Sequence, residues 1–344
     1  MHRWCRPLSV LVLTALALIA AAAIPPTPPP VFLTKWGTDG TGDGQLRVPR
    51  GVAIDSSGNV YVAERGNDRI QKFDADGAFI RKWGSPGTAE SQFDDPIGVA
   101  IDGADYVYVA DRLNNRIQKF DSSGNFVRAW GWGVRDGSSI LQDCITACLV
   151  GIAGPGNGQL DSPWGLAVDT SGTVYVADYG NDRIQKFTSQ GAYLTKWGSH
   201  GGGAGEFFYP SDVAVDVAGY VYVADGQRRI QKFDSGGTYV TQWGTSGTGD
   251  GEFNLPTGVA VDASRYVYVG DWDNHRVQKF DNTGTFITKW GSQGSGDGQF
   301  QRATGLAIDP SGNVYVADYD NDRIQKFGPL LDFFIGEPEL PGRH

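Results

Sequence analysis

One short segment of this sequence is written six times. The stretch "GNDRIQKF" occupies 66–73 and returns unchanged at 180–187, and four close variants end at Phe120, Phe233, Phe280 and Phe327. The arginines of the six copies are 47, 67, 46, 47 and 47 residues apart, and six tryptophans follow the same period. A fixed period of roughly 20–50 residues is typical of solenoids, propellers and arrays. The chain is therefore predicted to be a repeat protein.

Each repeat reads as four short strands. In the first repeat these are "GVAID" (51–55), "NVYVAE" (59–64), "RIQKFD" (69–74) and "AFIRKWG" (78–84), separated by turns rich in Gly, Asp, Asn and Ser. Such alternation of β-forming runs and turn residues indicates strands. The "VYV" strands are apolar on both faces and must be covered on both, whereas the charged fourth strand suits an outer edge. The pattern predicts an all-β, six-bladed β-propeller of four-stranded antiparallel blades.

The ends of the chain predict how the ring closes. The sixth repeat stops after "RIQKF" at 323–327 and lacks a fourth strand, while "VFLTKWG" at 31–37 precedes the first complete repeat. We therefore expect the N-terminal strand to complete the last blade, so that the propeller spans 31–328.

The repeated pattern P-x-G-V-A-[IV]-D, x-G-N-V-Y-V-A-D, x-x-N-D-R-I-Q-K-F resembles the NHL repeat over roughly 31–328. Proteins similar to it include RNA-binding domains, ectodomains of bacterial sensor kinases and peptidyl-hydroxyglycine lyases, so the resemblance leaves the function open. The lyases hold zinc with histidines near the propeller axis. Here only His275 falls on a turn of the repeat, and one histidine cannot make that site. No metal site and no cofactor are expected.

The N-terminus has the pattern of an export signal. Arg3 and Arg6 precede an apolar run that ends in small residues, which predicts a signal peptide over 1–23, followed by a Pro-rich linker over 24–30. An uncleaved membrane anchor is the alternative interpretation. We expect a secreted, periplasmic or cell-surface protein without a membrane span in the mature chain, and a C-terminal tail over 329–344.

The charge of the chain narrows its partners. A net charge of −10 makes a nucleic-acid ligand unfavourable, because phosphates require many lysines and arginines, and Arg47 with Arg50 supplies one local basic spot only. The expected partner is a protein, peptide or glycan, and the expected oligomeric state is a monomer.

The longest spacing between repeated arginines, 67 residues, marks an insertion. It falls at 131–157, between the second and third repeats, and contains Cys144 and Cys148. An exported protein meets oxidising conditions, which favours a local disulfide, while a metal pair is the rival interpretation. Long insertions are often functional loops, but an excursion without function is equally compatible with the sequence.

The repeated acid and arginine predict a structural pair in every blade. A catalytic group would not be needed six times, whereas a carboxylate and a guanidinium at the two ends of a tight turn can pair in bidentate fashion. The predicted pairs are Glu64–Arg69, Asp111–Arg116, Asp178–Arg183, Asp225–Arg229, Asp271–Arg276 and Asp318–Arg323.

The function is expected where the repeats differ. Five repeats place Gly at the channel mouth and the fourth places Asp212 there, while aromatic side chains follow several of the second strands. A concave aromatic rim suits peptides, sugars or apolar small molecules. The candidate ligand-binding residues are Arg50, Trp164, Tyr179, Asp212, Trp272, His275 and Tyr319. The favoured function is binding. The alternative is a small-molecule hydrolase or lyase at the channel mouth, with Asp212 and His275 as weak candidates for an acid–base pair.

Overall fold

The computed structural model describes residues 27–329, which form a six-bladed β-propeller. The predicted signal peptide, the start of the Pro-rich linker and nearly all of the C-terminal tail lie outside the described residues. In chain order, the first strand is β1 (Val31–Trp36), and blade 1 contains β2 (Pro49–Ile54), β3 (Val60–Glu64), β4 (Arg69–Phe73) and β5 (Phe79–Trp83). Blade 2 contains β6 (Pro96–Ile101), β7 (Val107–Asp111), β8 (Arg116–Phe120), β9 (Phe126–Trp132) and β10 (Leu141–Cys144).

The remaining blades follow the same order. Blade 3 contains β11 (Pro163–Val168), β12 (Val174–Asp178), β13 (Arg183–Phe187) and β14 (Tyr193–Trp197), and blade 4 contains β15 (Asp212–Val215), β16 (Val221–Asp225), β17 (Arg229–Phe233) and β18 (Tyr239–Trp243). Blade 5 contains β19 (Pro256–Val261), β20 (Val267–Asp271), β21 (Arg276–Phe280) and β22 (Phe286–Trp290), and blade 6 contains β23 (Ala303–Ile308), β24 (Val314–Asp318) and β25 (Arg323–Gly328). Single 3₁₀ turns lie at Tyr179–Asn181, Trp272–Asn274 and Tyr319–Asn321.

The predicted closure of the ring is confirmed. Strand β1 pairs antiparallel with β25, so that the last sheet has the order β1-β25-β24-β23. Trp36 of β1 packs its ring 5.9 Å from that of Phe73 in blade 1 and 6.1 Å from that of Tyr315 in blade 6. The N-terminal strand therefore completes blade 6 and also fills the space between the two blades at the chain ends.

The hydrophobic core lies between blades rather than inside them. A typical cluster joins Tyr61 and Ile70 of blade 1 to Phe93, Val107 and Phe120, which belong to blade 2 or to the segment leading into it. Because each "VYV" strand presents apolar side chains on both faces, every blade takes part in two such clusters. The sequence periodicity follows from this arrangement, since each blade must match two identical neighbours.

The repeated acid, Asn, Arg and Gln form one buried network that fixes the preceding loop. In blade 3, Arg183 donates from Nε to Asp178 Oδ2 at 2.7 Å, and its Nη2 donates to the carbonyls of Gly156 and Gln159. Gln185 donates to the same carbonyl of Gln159 and to Asp178. The pairing is therefore not bidentate on the carboxylate. The guanidinium fork is used on backbone carbonyls, whose hydrogen-bonding capacity has to be met inside the protein.

The residue before each repeated arginine links neighbouring blades. Asp68, Asn115, Asp182, His275 and Asp322 each accept a hydrogen bond from a backbone N–H of the next blade or its entry loop. All five have a left-handed backbone, with φ between 48° and 53°. Blade 4 has Arg228 at this position, and this side chain donates to Ser246 instead.

The insertion lies at the outer edge of blade 2. Strand β10 pairs with β9 as a fifth strand, and Cys144 and Cys148 are joined by a disulfide. Its descending part is tied to the blade, because the carbonyl of Leu149 accepts from Arg116 and the N–H of Gly151 donates to Asn114. Within residues 27–329, no helix is long and apolar enough to cross a membrane.

Candidate functional site

The top face of the propeller carries the turns between the second and third strands of each blade, together with the links from one blade to the next. In five blades one side chain follows the repeated acid on this face, namely Arg65, Arg112, Tyr179, Trp272 and Tyr319. In blade 4 the corresponding position is missing. Gly226 donates its N–H to Phe208 at 3.0 Å, as Gly66 does to Arg47 in blade 1, so Gly226 corresponds to Gly66 and not to Arg65.

The shortened turn of blade 4 opens a cavity on the top face. Its volume is about 300 Å³. The lining residues are Arg50, Arg65, Trp164, Tyr179, Phe208, Tyr209, Ser211, Gly226, Leu255, Thr257, Trp272 and Tyr319, and this set is called the top-face pocket below. The pocket thus lies where the ring of inward-facing side chains is interrupted.

Arg50 lies at the centre of the pocket and is enclosed by aromatic rings. Its guanidinium carbon is 4.8 Å from the ring centre of Trp164, 4.7 Å from that of Trp272 and 5.5 Å from that of Tyr319. Only 6% of the residue is exposed. Burial lowers the pKa of Arg50 to about 10, so the side chain remains a cation at neutral pH. The rings supply cation–π attraction to a charge that has lost most of its water.

A second group of rings continues from Trp164 toward blade 4. Tyr179 lies 4.0 Å from Trp164 between ring centres and stacks on Tyr209 at 4.8 Å. Tyr209 in turn contacts Phe208 at 4.6 Å. Phe208 and Tyr209 are 40% and 41% exposed, so this aromatic surface extends from the pocket to the open edge of the face.

The opposite wall of the pocket is positively charged. Arg65 and Arg112 both pair with one carboxylate, that of Asp95, and Arg65 also donates to the Tyr319 hydroxyl at 2.9 Å. Arg50 and Arg65 line the pocket itself, whose lining contains no acidic residue, whereas Arg112 and Asp95 contact its residues Trp164 and Arg65. The pocket is therefore locally positive on a chain whose net charge is −10.

Asp212 lies on the axis below Arg50, and both of its oxygens are occupied. Oδ1 accepts from the N–H of Val213 and Oδ2 from that of Val259 in blade 5, each at 2.9 Å. Burial raises the pKa of Asp212 to about 7, although these N–H groups and the charge of Arg50 act in the opposite direction. The carboxyl group thus bridges the inner strands of blades 4 and 5.

The axis around Asp212 is almost filled. The space there is about 30 Å³, and a Cβ on Gly51, Gly98, Gly258 or Gly305 would approach a carbonyl oxygen of the next blade to 2.4 Å or less. The inner strands therefore approach too closely for side chains at these positions. Asp212 is accommodated as the first residue of β15, which begins later than the other inner strands but keeps their register with the second strand.

The candidate residues from the sequence fall into three places. Arg50, Trp164, Tyr179, Trp272 and Tyr319 line the top-face pocket together. Asp212 lies beneath it on the axis. His275 does not line either space, and its Nδ1 accepts the N–H of Arg302 at 3.1 Å, as the aspartates of other blades do. The sequence interpretation missed Phe208, Tyr209 and Arg65 as pocket residues. The signal for the gap itself was the four-residue spacing from Asp225 to Arg229.

The described part of the chain offers no obvious metal centre. Between residues 27 and 329, no group of three or more His, Cys, Asp or Glu side chains is arranged to hold a metal ion. The chemistry that the pocket offers is a desolvated cation among aromatic walls.

The geometry defines the chain as a six-bladed β-propeller with an aromatic-lined cavity on its top face. Solved structures of the same fold include a gluconolactonase from Xanthomonas campestris (TM-score 0.58, 13% identity, covering 88% of this chain and 99% of that one). Virginiamycin B lyase from Staphylococcus aureus has a TM-score of 0.55 at 13% identity, covering 86% of this chain and 98% of that one. A nidogen/laminin complex has a TM-score of 0.51 at 16% identity, covering 72% and 81%. At these identities the likeness is one of fold.

The chain is an NHL-repeat protein. The NHL repeat model matches residues 46–73, 93–120, 160–187, 253–280 and 300–327. Among curated relatives, human NHL repeat-containing protein 3 is 49% identical over 47 residues, which is 13% of this chain and 14% of that protein. Protein lin-41 of Caenorhabditis elegans is 47% identical over 47 residues, which is 14% of this chain and 4% of that protein. The matches thus span a small part of these relatives. The repeats matched by the model do not include blade 4, where Asp212 and the shortened turn lie.

Proposed function

We propose that this chain is an exported binding propeller that recognises a protein or peptide segment through the top-face pocket. The observation that carries the proposal is the aromatic cavity of about 300 Å³ at the position where blade 4 lacks one turn residue. A concave, largely apolar space with a few fixed polar groups is the usual form of a ligand site. The five remaining blades have a side chain at this position, so the opening is particular to blade 4.

An extended ligand fits this surface better than an isolated small molecule. The aromatic surface continues outside the cavity to Phe208 and Tyr209, and Leu255 on the neighbouring link is 37% exposed. A peptide can place one group in the cavity and lie across these residues. One structural neighbour comes from a nidogen/laminin complex, which is an assembly of two proteins.

A glycan fits the pocket less well. Sugars stack on free aromatic faces, but Trp272 has Arg50 at 4.7 Å and Arg302 at 5.2 Å from its ring centre. Trp164 is contacted in the same way by Arg50 and Arg112. The ring faces of both tryptophans are therefore engaged by guanidinium groups.

Export of the protein is part of the same proposal. It is supported by the sequence of residues 1–23 and by the disulfide between Cys144 and Cys148, because such bonds persist mainly in oxidising compartments. N-terminal sequencing of the protein recovered from culture medium or periplasm tests it. Recovery of the uncleaved chain from membranes would favour the anchor instead.

The binding function is tested with a peptide library on the purified protein. The matched variant replaces 226–228 by the four residues that stand at 179–182 in blade 3, which restores the missing side chain and fills the gap. Peptides that bind the parent should lose binding to this variant while its thermal stability is kept. Equal binding by both proteins would show that the top-face pocket is not the site.

A second candidate function rests on Asp212, whose pKa of about 7 suits a general acid or base. In this alternative the chain is a small-molecule hydrolase or lyase, as some structural neighbours are. Hydrolysis of gluconolactone can be measured directly, as can cleavage of quinupristin, with which virginiamycin B lyase from Staphylococcus aureus has been solved. A turnover abolished by Asp212→Asn would favour catalysis, whereas the two N–H groups on Asp212 favour a structural role.

A further inference from the structure

Arg50 differs from every other buried arginine of the chain. Within residues 27–329, the six other buried arginines each hold a carboxylate at 2.6–2.9 Å. Arg50 is equally buried but forms no ion pair and donates no side-chain hydrogen bond to another described residue. A buried guanidinium is costly unless water or a ligand supplies acceptors, so Arg50 is suited to a partner from outside the chain.

The free donors of Arg50 open into the pocket. The side-chain nitrogens that are both enclosed and unpaired belong to other residues, so those of Arg50 still reach the solvent of the cavity. The rings of Trp164, Trp272 and Tyr319 contact the guanidinium but accept no conventional hydrogen bond from it. Its N–H groups therefore remain available to an acceptor that enters the pocket.

The charges around Arg50 favour an anion as that acceptor. Arg65 and Arg112 share Asp95, and Asp212 below is held by two backbone N–H groups. Neither carboxylate forms an ion pair with Arg50, although both attract its charge from a longer distance. A planar carboxylate matches the planar donor fork of a guanidinium, and the desolvated setting strengthens the bond.

We propose that Arg50 anchors a carboxylate group of the bound peptide, with the adjoining apolar part of the peptide against the exposed residues Phe208, Tyr209 and Leu255. The inference rests on the proposed peptide-binding function and names the chemical group that is recognised. The carboxylate can be the C-terminal one or that of an Asp or Glu side chain. Entry is over Gly226, the position where the ring of turn side chains is open.

Three small probes separate the chemistry from its source. N-acetylphenylalanine carries a terminal carboxylate beside an aromatic group, its amide is the neutral match, and N-acetylphenylalanyl-glutamate α-amide carries a side-chain carboxylate only. Dissociation constants are measured by titration followed by NMR. We expect an acid to bind about tenfold or more tightly than the neutral amide. Whichever of the two acids binds more tightly identifies the source of the carboxylate.

The variants assign the preference to Arg50. Arg50→Gln should erase the difference between acid and amide, and Arg50→Lys should keep part of it, because charge remains but the fork is lost. The matched control is Arg302→Gln, which removes a cation from the other side of Trp272 and should retain the preference. Equal affinities for acid and amide in the parent, or a preference that survives Arg50→Gln, would overturn the inference.

The two proposals fail in different ways. If library peptides bind the parent equally well as free acids and as amides, peptide binding stands and the carboxylate anchor is wrong. If no peptide binds but N-acetylphenylalanine binds through Arg50, the anchor stands and the peptide function is wrong.

Discussion

The backbone N–H of Val48 donates to Oδ1 of Asp322 at 2.7 Å and so joins blade 6 to the segment that leads into blade 1. The two residues are 274 positions apart in the sequence. The same bond occurs at four other junctions of the ring, and at the junction of blades 4 and 5 a different carboxylate, that of Asp212, takes the N–H of Val259. This repeated hydrogen bond thus joins neighbouring blades into the ring, and the junction without it, between blades 4 and 5, lies beside the pocket.

Asp322 gives a first prediction, on stability. Asp322→Ala removes the acceptor of the Val48 N–H. It also leaves at φ 50° an alanine, whose side chain cannot form a hydrogen bond. We expect a loss of about 2–3 kcal/mol in the free energy of unfolding, measured by urea denaturation. Asp322→Asn is the matched control, because Asn115 performs this role in blade 2. Equal stability of the Ala variant and the parent would contradict the linking role.

Ring closure gives a second prediction. Removing residues 27–36 takes away β1, exposes the edge of β25 and leaves Phe73 and Tyr315 without the Trp36 ring. We expect the melting temperature to fall by on the order of 10 °C. Removing only 27–30 should change it little, because those residues precede the strand. Similar melting of the long deletion and the parent would mean that β1 does not secure the ring.

The buried network gives a third prediction. Arg183→Ala removes one charged donor each from Asp178 and from the carbonyls of Gly156 and Gln159. We expect a loss on the order of 3–5 kcal/mol. Arg183→Lys should still lose about 2 kcal/mol, since one ammonium cannot replace the fork. The exposed Lys196→Ala is the control, with a change expected within about 0.5 kcal/mol. A lysine variant as stable as the parent in denaturant titration would argue against the network.

Asp212 gives a fourth prediction, on pH. Its pKa is about 7 in the folded protein and near the ordinary aspartate value when unfolded, so the folded state holds the proton more tightly. The proton on Asp212 therefore contributes its full stabilisation of the folded state below the pKa of the unfolded chain. This contribution is lost as the pH rises through about 7.

The matching variant is Asp212→Asn, which cannot titrate. Relative to it, the parent should lose up to roughly 4 kcal/mol between pH 4 and pH 7.5 and change little above that. Urea denaturation of both proteins at several pH values measures the difference. A difference that is constant with pH would show that the carboxyl group titrates normally.

The fold could be predicted almost completely, because each blade packs on two copies of itself and the sequence must repeat accordingly. The strand at 31–37 was identifiable for the same reason, since the sixth repeat was one strand short. The role of the Arg183 guanidinium fork could not be predicted, because its acceptors are backbone carbonyls, which residues of every type provide.

The site was predictable only in part. Arg50, Trp164 and Trp272 stood out because they break the repeat, but nothing in their spacing indicates that two tryptophan rings lie on one guanidinium. The spacing from Asp225 to Arg229 showed that a residue was missing. Which position of the turn is missing could be decided only from the structure, because it follows from the hydrogen bond that the Gly226 N–H donates to the Phe208 carbonyl.

The narrow axis has a consequence for the traffic of ligands. The space beside Asp212 is about 30 Å³, close to the volume of a single water molecule. On the opposite face a separate cavity of about 410 Å³ is lined by other residues, among them Asp55, Asp216 and Asp309. A molecule that enters over Gly226 therefore has to leave by the same opening, and a second one cannot displace it from behind. Occupancy of the top face is then independent of passage along the axis from the opposite face.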